Sequence, residues 1–410
     1  MANTLTHTLN FTYTKIRTSK LVNRLGAVLI FLLVAASSCK KNKNDEPNNA
    51  GSPDSPTTPA NPANPKPETG VDAHFIAVYT TYRHTMAIDD KGVVWGVGEN
   101  FRKVLGTGND SRQLKFVRTI DQVKSIAVDD SRSLVIRNDN SVWAAGSNPY
   151  ANFGLDDALA KGTFTKVFNG AEQIEVSEDN AFVIKADRTL WAAGVSNYDA
   201  FPVAQFGVMK TFTKVADNVK AVSARMGHIL LLKTDNTLWV CGLNVNGELG
   251  LGHNKEQKGF VKVTDNVKAI KSLEYHSLII KTDNSLWATG HNEYGELGIG
   301  SKTNQSRFVK VMDNVSALAG GRFFSIVIKT DNTLWAAGYN GFRPFGIESP
   351  DQTKFIKVMD NVTKVSAIDY NTIIIKADKT VWVSGANTFG QLGVNNRDDV
   401  SLFTKIKLDK

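Results

Sequence analysis

The sequence predicts an all-β fold, a seven-bladed β-propeller of four-stranded blades, and three observations support this prediction. A segment like residues 281–300 returns seven times, and every tryptophan of the chain occupies the same position in it. Successive tryptophans lie 48 residues apart five times and 47 residues apart once: Trp95, Trp143, Trp191, Trp239, Trp287, Trp335 and Trp382. Each repeat holds four short runs rich in Val, Ile, Thr and Trp, separated by turn pairs such as Asp-Asn. A period of about 40 to 50 residues is typical of propellers and solenoids, whose units bury their apolar faces against their neighbours.

Two glycines recur at fixed places in every repeat. One follows the tryptophan by three residues, and the other follows a Leu or Phe: Gly98, Gly146, Gly194, Gly242, Gly290, Gly338, Gly385, and Gly106, Gly154, Gly207, Gly250, Gly298, Gly346, Gly393. Glycine is required where φ is positive or where two backbones approach closely. No helix start follows these glycines, so they indicate structural corners and not a phosphate-binding loop.

The ends of the repeat array suggest how the ring closes. An F-x-K-V motif precedes each tryptophan except the first, and its last copy, residues 403–406, ends the array. We expect this C-terminal strand to complete the first blade, because a strand exchanged in this way leaves no open sheet edge. The tryptophans are expected to be core side chains, and we place the Gly-rich loops on the rim opposite the binding loops described below.

The third repeat departs from the others between its two glycines, which lie 13 positions apart where the other repeats have 8. The following linker is 5 residues shorter than usual, so the period is kept. The loop at residues 195–206 is therefore either an individual feature of one blade or a displaced strand boundary.

The first 70 residues differ from the repeats. An apolar run at residues 25–36 follows four basic side chains and precedes Cys39. This run is too short to span a bilayer, and the order of basic, apolar and small residues resembles a bacterial lipoprotein signal peptide. We expect residues 1–38 to be that signal peptide, Cys39 to be lipidated, and the protein to lie in the bacterial cell envelope, at the outer membrane. An ordinary secretory signal or a short anchor are the alternatives.

Residues 39–70 are rich in Pro, Asn, Ser and Thr and contain no large apolar side chain. Such a composition favours extended, solvated chain, so we interpret this segment as a flexible tether. A recognition segment for proline-binding grooves is the alternative. Residues 71–410 then form the propeller.

Charge and motifs argue against several classes of function. The formal net charge is +8, but four of those charges belong to the predicted signal peptide, and basic clusters with interleaved aromatic residues are lacking. Nucleic acid is therefore not an expected partner. The seven histidines show no metal-ligand spacing, and no nucleophile elbow is present. We expect a protein that is not an enzyme and has no cofactor or metal site. A catalytic site assembled from residues of distant blades is the alternative. Cys241 is expected to be a small core residue.

The repeat L-W-x-x-G-x-N-x-x-G-x-L-G-x-G, preceded by H-[ST]-L-x-I, resembles the regulator of chromosome condensation repeat family. Its best copies are residues 239–252 and 276–280, and the resemblance covers about residues 75–410. It implies a seven-bladed propeller. Members of that family include a nucleotide exchange factor for the GTPase Ran, a plant ultraviolet photoreceptor, ubiquitin-ligase accessory domains and a secreted bacterial inhibitor of β-lactamases. The resemblance therefore implies a protein-binding face, but the fold does not select the partner.

The same resemblance places partner contacts in the loop just before the histidine position of the repeat. The candidate binding residues in these loops are Tyr82, Arg83, Asp130, Glu178, Asp179, Glu274, Tyr275, Arg322, Phe323, Asp369 and Tyr370. Aromatic and arginine side chains commonly anchor protein interfaces, and carboxylates orient the partner. An exported bacterial protein would not encounter Ran, so exchange activity on Ran is not expected. The plant photoreceptor uses tryptophans in this loop, and none of the seven loops here contains one, so photoreception is not expected either.

We therefore expect an envelope lipoprotein that binds a protein partner through one propeller rim. The alternative is a carbohydrate-binding or polysaccharide-processing surface protein, since aromatic rings beside carboxylates also suit a sugar. Loops that are merely polar, with partly buried aromatic side chains, are the third possibility.

Overall fold

The computed structural model describes residues 74–195 and 207–406, which form seven four-stranded antiparallel sheets arranged in a ring. The predicted fold class is confirmed. Blades 1 to 3 consist of β1 (Phe75–Thr80), β2 (His84–Asp89), β3 (Val94–Gly98), β4 (Gln113–Ile120); β5 (Val123–Asp129), β6 (Arg132–Arg137), β7 (Val142–Gly146), β8 (Lys161–Phe168); and β9 (Ala171–Val176), β10 (Asn180–Lys185), β11 (Leu190–Val195), β12 (Val208–Ala216).

Blades 4 to 7 follow the same order. They consist of β13 (Val219–Arg225), β14 (His228–Lys233), β15 (Leu238–Gly242), β16 (Gln257–Thr264); β17 (Val267–Ser272), β18 (His276–Lys281), β19 (Leu286–Gly290), β20 (Gln305–Met312); β21 (Val315–Gly320), β22 (Phe324–Lys329), β23 (Leu334–Gly338), β24 (Gln352–Met359); and β25 (Val362–Ile368), β26 (Asn371–Lys376), β27 (Val381–Gly385), β28 (Val400–Lys405).

The first strand of each blade lies innermost. The first strands contact one another in a closed cycle that runs from β1 through β5, β9, β13, β17 and β21 to β25 and back to β1. They line a central channel, and the fourth strands lie outermost.

Each blade presents two kinds of connection on each side of the ring. Consecutive strands are antiparallel, so the chain returns to the same side after two strands. The connections between strands 1 and 2 and between strands 3 and 4 therefore share one face, here called the loop face, and the remaining turns form the turn face. In blade 1 the backbone N–H of Glu99 donates to Arg83 O at 2.8 Å, joining the two loops. The expectation that the Gly-rich loops lie on the opposite rim is wrong for this reason.

The expected exchange of the C-terminal strand is also wrong. Strand β28 pairs with β27 of its own blade, where Trp382 is opposite Lys405, and blade 1 has its own fourth strand, β4. The physical reason is the register of the repeat. The F-x-K-V strand pairs with the tryptophan strand before it, and β1 supplies the innermost strand of blade 1.

Side-chain packing closes the ring between blades 7 and 1. A Cβ atom on Gly393 would lie 2.6 Å from the Phe116 ring, just as one on Gly106 would lie 2.5 Å from Phe164. Asn371 Nδ2 donates to Thr81 O at 3.1 Å across the same boundary. The last blade thus meets the first through the contact that joins other neighbouring blades.

The repeated tryptophans are held by the turn that precedes them. Trp287 Nε1 donates to Ser285 Oγ at 2.8 Å, and that hydroxyl donates to Asp283 Oδ1 at 2.6 Å. Trp95 is buried, and the other six tryptophans are half-buried and pack against the apolar clusters between blades. Cys241 is buried, and burial raises the pKa of its thiol. Both interpretations as core residues agree with the structure.

The predicted signal peptide, the Cys39 lipidation site, the tether and residues 196–206 of the third-repeat loop lie outside the described residues. No helix within residues 74–195 and 207–406 has the length and apolar character needed to cross a bilayer. The same ranges hold no group of three or more His, Cys, Asp or Glu side chains placed to share a metal ion.

Candidate functional site

All eleven candidate residues lie on the loop face, in the connections between the first and second strands of their blades. The register of the repeat thus predicted their location. Most of them fall into an ionic network at the mouth of the central channel and an arc of aromatic rings beside it, while Tyr82 and Arg83 lie at the boundary of blades 7 and 1. Asp179 lies in the blade 3 loop, where its backbone O accepts a hydrogen bond from Val195 N at 3.0 Å.

The ionic network is centred on Arg225, the last residue of β13 in blade 4. Its Nε lies 3.1 Å from Glu178 Oε1 of blade 3. Its Nη2 lies 3.3 Å from Glu274 Oε1 of blade 5 and 3.7 Å from Asp369 Oδ2 of blade 7. Glu178 also accepts a hydrogen bond from Met226 N at 2.8 Å. One guanidinium therefore connects carboxylates from three blades across the channel mouth.

Arg322 of blade 6 links this network to the aromatic rings. Its Nε lies 3.2 Å from Glu274 Oε2, and its Nη2 donates to the Tyr275 hydroxyl at 3.1 Å. The guanidinium carbon lies 5.6 Å from the Tyr275 ring centroid and 5.3 Å from that of Phe323. These distances are those of cation–π contacts.

The carboxyl groups of the network do not all carry a negative charge at neutral pH. Burial raises the pKa of Asp369 to about 8, and the charge and hydrogen bonding of Glu274 add to this, while Arg225 opposes it. Burial lowers the pKa of Arg225, but the charges of Glu178, Asp369 and Glu274 outweigh it and raise that pKa overall. Asp369 therefore holds a proton at neutral pH, and Arg225 stays charged.

A cavity of about 60 Å³ lies in the channel beside the network. Burial raises the pKa of Glu175 in its wall, an effect that Lys271 opposes. Gly320 and Gly321 of blade 6 add no side chains to the wall, and a Cβ atom on Gly321 would lie 2.4 Å from Asp369 O. The cavity has room for water or the head of one side chain, but not for a larger ligand.

The aromatic arc is formed by six rings of blades 5 to 7: Tyr275, Tyr294, Phe323, Tyr339, Phe342 and Tyr370. Their centroids lie 5.7 Å apart for Tyr275–Phe323, 4.6 Å for Tyr294–Phe323, 5.5 Å for Tyr294–Tyr339, 6.0 Å for Tyr339–Tyr370 and 4.8 Å for Phe342–Tyr370. Such separations are those of stacked and edge-to-face aromatic pairs. The rings therefore make one continuous surface.

A second aromatic group lies at the boundary between blades 7 and 1. The Tyr82 and Phe389 rings meet edge to face at 5.2 Å, and the Arg83 guanidinium lies 4.7 Å from the Phe389 centroid. The backbone N–H of Tyr82 donates to Asp130 Oδ1 at 3.0 Å, which fixes the loop against blade 2.

Large exposed apolar side chains also concentrate on the loop face. The described ranges contain nine such side chains, of which none lies in a turn of the turn face. Six lie in connections of the loop face: Phe101, Tyr150, Leu159, Met226, Val245 and Phe342. They come from four different blades, so they are spread around the loop face.

The framework beneath the loops is regular. Asn292 Oδ1 accepts a hydrogen bond from Leu297 N at 2.9 Å, and its Nδ2 donates to Ser301 O at 2.9 Å. His276 Nε2 lies 2.9 Å from Ser325 Oγ of the next blade, and burial lowers the pKa of this histidine to about 3. The neutral histidine therefore joins two blades and does not face a ligand.

Sequence reasoning missed several residues of the site. The sequence analysis did not identify three charged residues of the innermost strands, because their side chains meet only at the channel: Arg225, Glu175 and Lys271. The arc residues of the Gly-rich loops escaped because those loops were assigned to the other rim. A signal was present, since the second residue after the repeated Asn is aromatic in four blades: Tyr150, Tyr294, Phe342 and Phe389.

Comparison with known proteins relates the chain to others by fold. No protein-family model matches the sequence, and no curated protein sequence does. Human WBSCR16 superposes with a TM-score of 0.69 at 18% identity, covering 77% of this chain and 93% of that one. Prp20p from Saccharomyces cerevisiae, described by its binding to Gsp1p and histones, gives 0.69 at 17% identity, covering 82% and 90%. Yeast RCC1 (Prp20) bound to Kap60 gives 0.68 at 16% identity, covering 83% and 89%. The chain thus has the fold of the RCC1-like seven-bladed propellers.

Proposed function

We propose that the chain is a non-enzymatic binding protein that recognises a protein partner through its loop face. The observation that carries this proposal is the aromatic arc, a continuous surface of six rings flanked by Arg322. Tyrosine and arginine are enriched among the residues that dominate interface energetics. Prp20p, a propeller of the same fold, is described as binding Gsp1p and histones, which supports this use of the fold.

The arc is not a requirement of the repeat. At the position of Tyr275, the equivalent loops of blades 2, 3 and 4 have Ser131, Asp179 and Gly227. These blades form the same four strands without an aromatic ring there. Variation of loop residues on a fixed scaffold indicates recognition more than packing.

We further propose that the propeller is displayed on the bacterial cell envelope, at the outer membrane, by a lipid on Cys39. The signal-like residues 1–38 and the tether at residues 39–70 support this proposal. The tether would hold the propeller away from the bilayer, so that the loop face could reach a partner.

Affinity capture from envelope extracts tests the function. The full-length chain is used as bait beside Tyr370→Ala and Phe342→Ala, with Asp331→Ala of the turn face as the matched control. We expect a protein retained by the parent chain and by the control and lost with the arc variants. Capture that depends on Asp331 and is unaffected by the arc variants would contradict the proposal.

A carbohydrate ligand is the second candidate, because Glu274 and Asp369 lie beside aromatic rings on the same face. Rings stack on sugar faces, and carboxylates accept hydrogen bonds from sugar hydroxyls. Binding to a glycan array that is lost with Tyr370→Ala, together with no captured protein, would favour this candidate.

A further inference from the structure

The ionic network contains more carboxylates than cations. Four carboxylates, Asp130, Glu178, Glu274 and Asp369, influence the single guanidinium of Arg225 at the channel mouth. Arg322 pairs with Glu274 from the rim. With every group ionised, these six residues would carry a net charge of −2. With Asp369 protonated the net charge of these residues is −1, so the channel mouth still favours a further positive charge.

Asp369 is hydrogen-bonded to the Glu274 carboxyl group but has only a distant cation. It is 7% exposed, and its Oδ2 accepts no hydrogen bond from the described residues. Its only described ion-pair partner, Arg225 Nη2, lies 3.7 Å away, at the long end of an ion-pair distance. A buried carboxylate without a close cation is costly, and the proton that Asp369 retains stands in for that cation.

The cavity is lined by Glu274, the hydrogen-bond partner of Asp369, and by Arg225. Gly320 and Gly321 leave the wall of the cavity without side chains, and the cavity of about 60 Å³ holds little more than one small head group. Tyr370 follows Asp369 in the chain, and its hydroxyl is influenced by the charges of Asp369 and Glu274. Carboxylates beside aromatic rings favour an ammonium or guanidinium group over a neutral or anionic one.

We propose that the channel mouth receives one Arg or Lys side chain of the protein partner, with Asp369 and Glu274 as its carboxylate acceptors. This inference rests on the proposed function and specifies the chemistry of the partner. The cation belongs to a polypeptide because the adjoining aromatic arc of blades 5 to 7 offers apolar contact area to the flanking segment, which a free small cation would not use.

Peptide binding tests the charge requirement. Five fluorescein-labelled glycine-rich peptides differ only in the central side chain: Arg, Lys, citrulline, norleucine or Glu. Fluorescence anisotropy with the full-length chain should give at least about tenfold tighter binding for Arg and Lys than for citrulline and norleucine. The Glu peptide should bind most weakly.

Variants locate the effect. Glu274→Gln and Asp369→Asn keep the shape of the side chains and should each weaken the Arg peptide by about tenfold. Asp378→Asn, an exposed carboxylate of the turn face, is the matched control and should leave binding unchanged. Circular dichroism melting of each variant establishes that the loss does not come from unfolding.

Proton release gives a readout that a purely structural role would not produce. The groups that face Asp369 are Glu274, Arg225, Asp130 and Tyr370. A cation bound beside Asp369 lowers its pKa from about 8, so binding at pH 7 should release up to one proton. The affinity for the Arg peptide should then increase as the pH is raised towards 8, by up to about tenfold per pH unit. Titration calorimetry in two buffers of different ionisation enthalpy measures the release, which Asp369→Asn should abolish.

Equal binding of the Arg and norleucine peptides, no binding of either, or binding of the Arg peptide without proton release would each overturn the inference. In each of these cases an envelope protein could still be captured through the aromatic arc. Failure of the cation site is therefore distinguishable from failure of the proposed function. Conversely, discrimination among the peptides with no captured protein would support the cation site and count against the partner proposed for the arc.

Discussion

Arg225 Nη2 lies 3.3 Å from Glu274 Oε1, joining the innermost strand of blade 4 to the loop of blade 5 at the channel mouth. The side chain of Arg225 is 13% exposed and that of Glu274 is 8% exposed, so neither charge is well solvated. Removal of one partner from such a pair leaves an uncompensated buried charge, which costs more than the pair itself contributes.

We therefore predict that Arg225→Leu destabilises the protein by about 3 to 5 kcal/mol, because three carboxylates lose their shared cation. Urea denaturation followed by fluorescence measures the change. The double variant Arg225→Leu/Glu274→Leu should recover part of the loss. A single variant as stable as the parent chain would contradict the central role of this guanidinium.

The pH dependence of stability should carry the signature of Asp369. Its pKa is about 8 in the folded protein, above the value of about 3.9 for an unfolded aspartate. The folded state therefore binds a proton that the unfolded state has lost, and the stabilisation from this group declines as the pH rises from about 4 to about 8. One such proton gives a slope of at most about 1.4 kcal/mol per pH unit.

Asp369→Asn should remove that dependence. The variant should gain stability relative to the parent chain as the pH rises towards 8, and the difference should level off above it. Denaturation at pH 5, 6, 7 and 8 measures the trend, with Asp378→Asn as the control. Parallel pH profiles for the parent chain and Asp369→Asn would contradict the protonated state of this carboxyl group.

The repeat made the fold predictable from the sequence, but not all of its connections. Period, strand composition and turn residues fix what each unit forms and how it packs on its neighbour, because these interactions recur every 47 or 48 residues. The prediction of how the ring closes was wrong because the F-x-K-V strand can be paired with the preceding or with the following tryptophan strand without changing the period. Only the hydrogen bonds of β27 and β28 decide between the two.

The candidate site was predictable in location but not in content. Tyr275, Phe323 and Tyr370 became candidates because the family resemblance pointed to one loop per blade, which the repeat register then located in each blade. Arg225 was not found, because its partners Glu178, Glu274 and Asp369 come from blades 3, 5 and 7, and no periodic pattern in the sequence relates them. Contacts across the channel depend on the closed ring, which a reading of one repeat at a time does not contain.

Deletion of residues 401–410 distinguishes the observed closure from the exchanged one. The deletion removes most of β28, including Phe403, whose ring packs on Gly346 of blade 6. We expect a lower melting temperature, because apolar surface and a row of backbone hydrogen bonds are exposed. Hydrogen exchange should show lost protection in β27 of blade 7 and not in β3 of blade 1. Lost protection in β3 with β27 unchanged would favour strand exchange.

The proposed lipid anchor predicts that Cys39→Ala leaves the protein uncleaved or releases it from the membrane, because the thiol is the proposed lipid acceptor. Membrane fractionation with immunoblotting, together with labelling by a palmitate analogue, measures both results. Cys241→Ala is the control, since that thiol is buried in the propeller. Membrane retention and labelling unchanged by Cys39→Ala would rule out lipidation at this site.

The aromatic arc predicts where binding energy resides. Tyr370 and Phe323 offer large planar surfaces that lose little conformational entropy on binding, so alanine at either should weaken the partner by about 1 to 3 kcal/mol. Both are half-buried against other rings of the arc and not in an interblade core, so the melting temperature should change little. Surface plasmon resonance with the captured partner measures the affinities.

The matched control for the arc must lie on the turn face, because the Gly-rich loops share the loop face with the proposed anchors. Asp283 and Asp331 are exposed there, and each accepts a hydrogen bond from the Ser or Thr two residues on. Alanine at either should leave affinity unchanged. If these variants abolished binding while Tyr370→Ala and Phe323→Ala proved neutral, the partner would dock on the turn face.

The extent of the binding surface can be tested at the second aromatic group, formed by Tyr82, Arg83 and Phe389. A partner that also spans the boundary of blades 7 and 1 should lose affinity with Tyr82→Ala, whereas one confined to blades 5 to 7 should not.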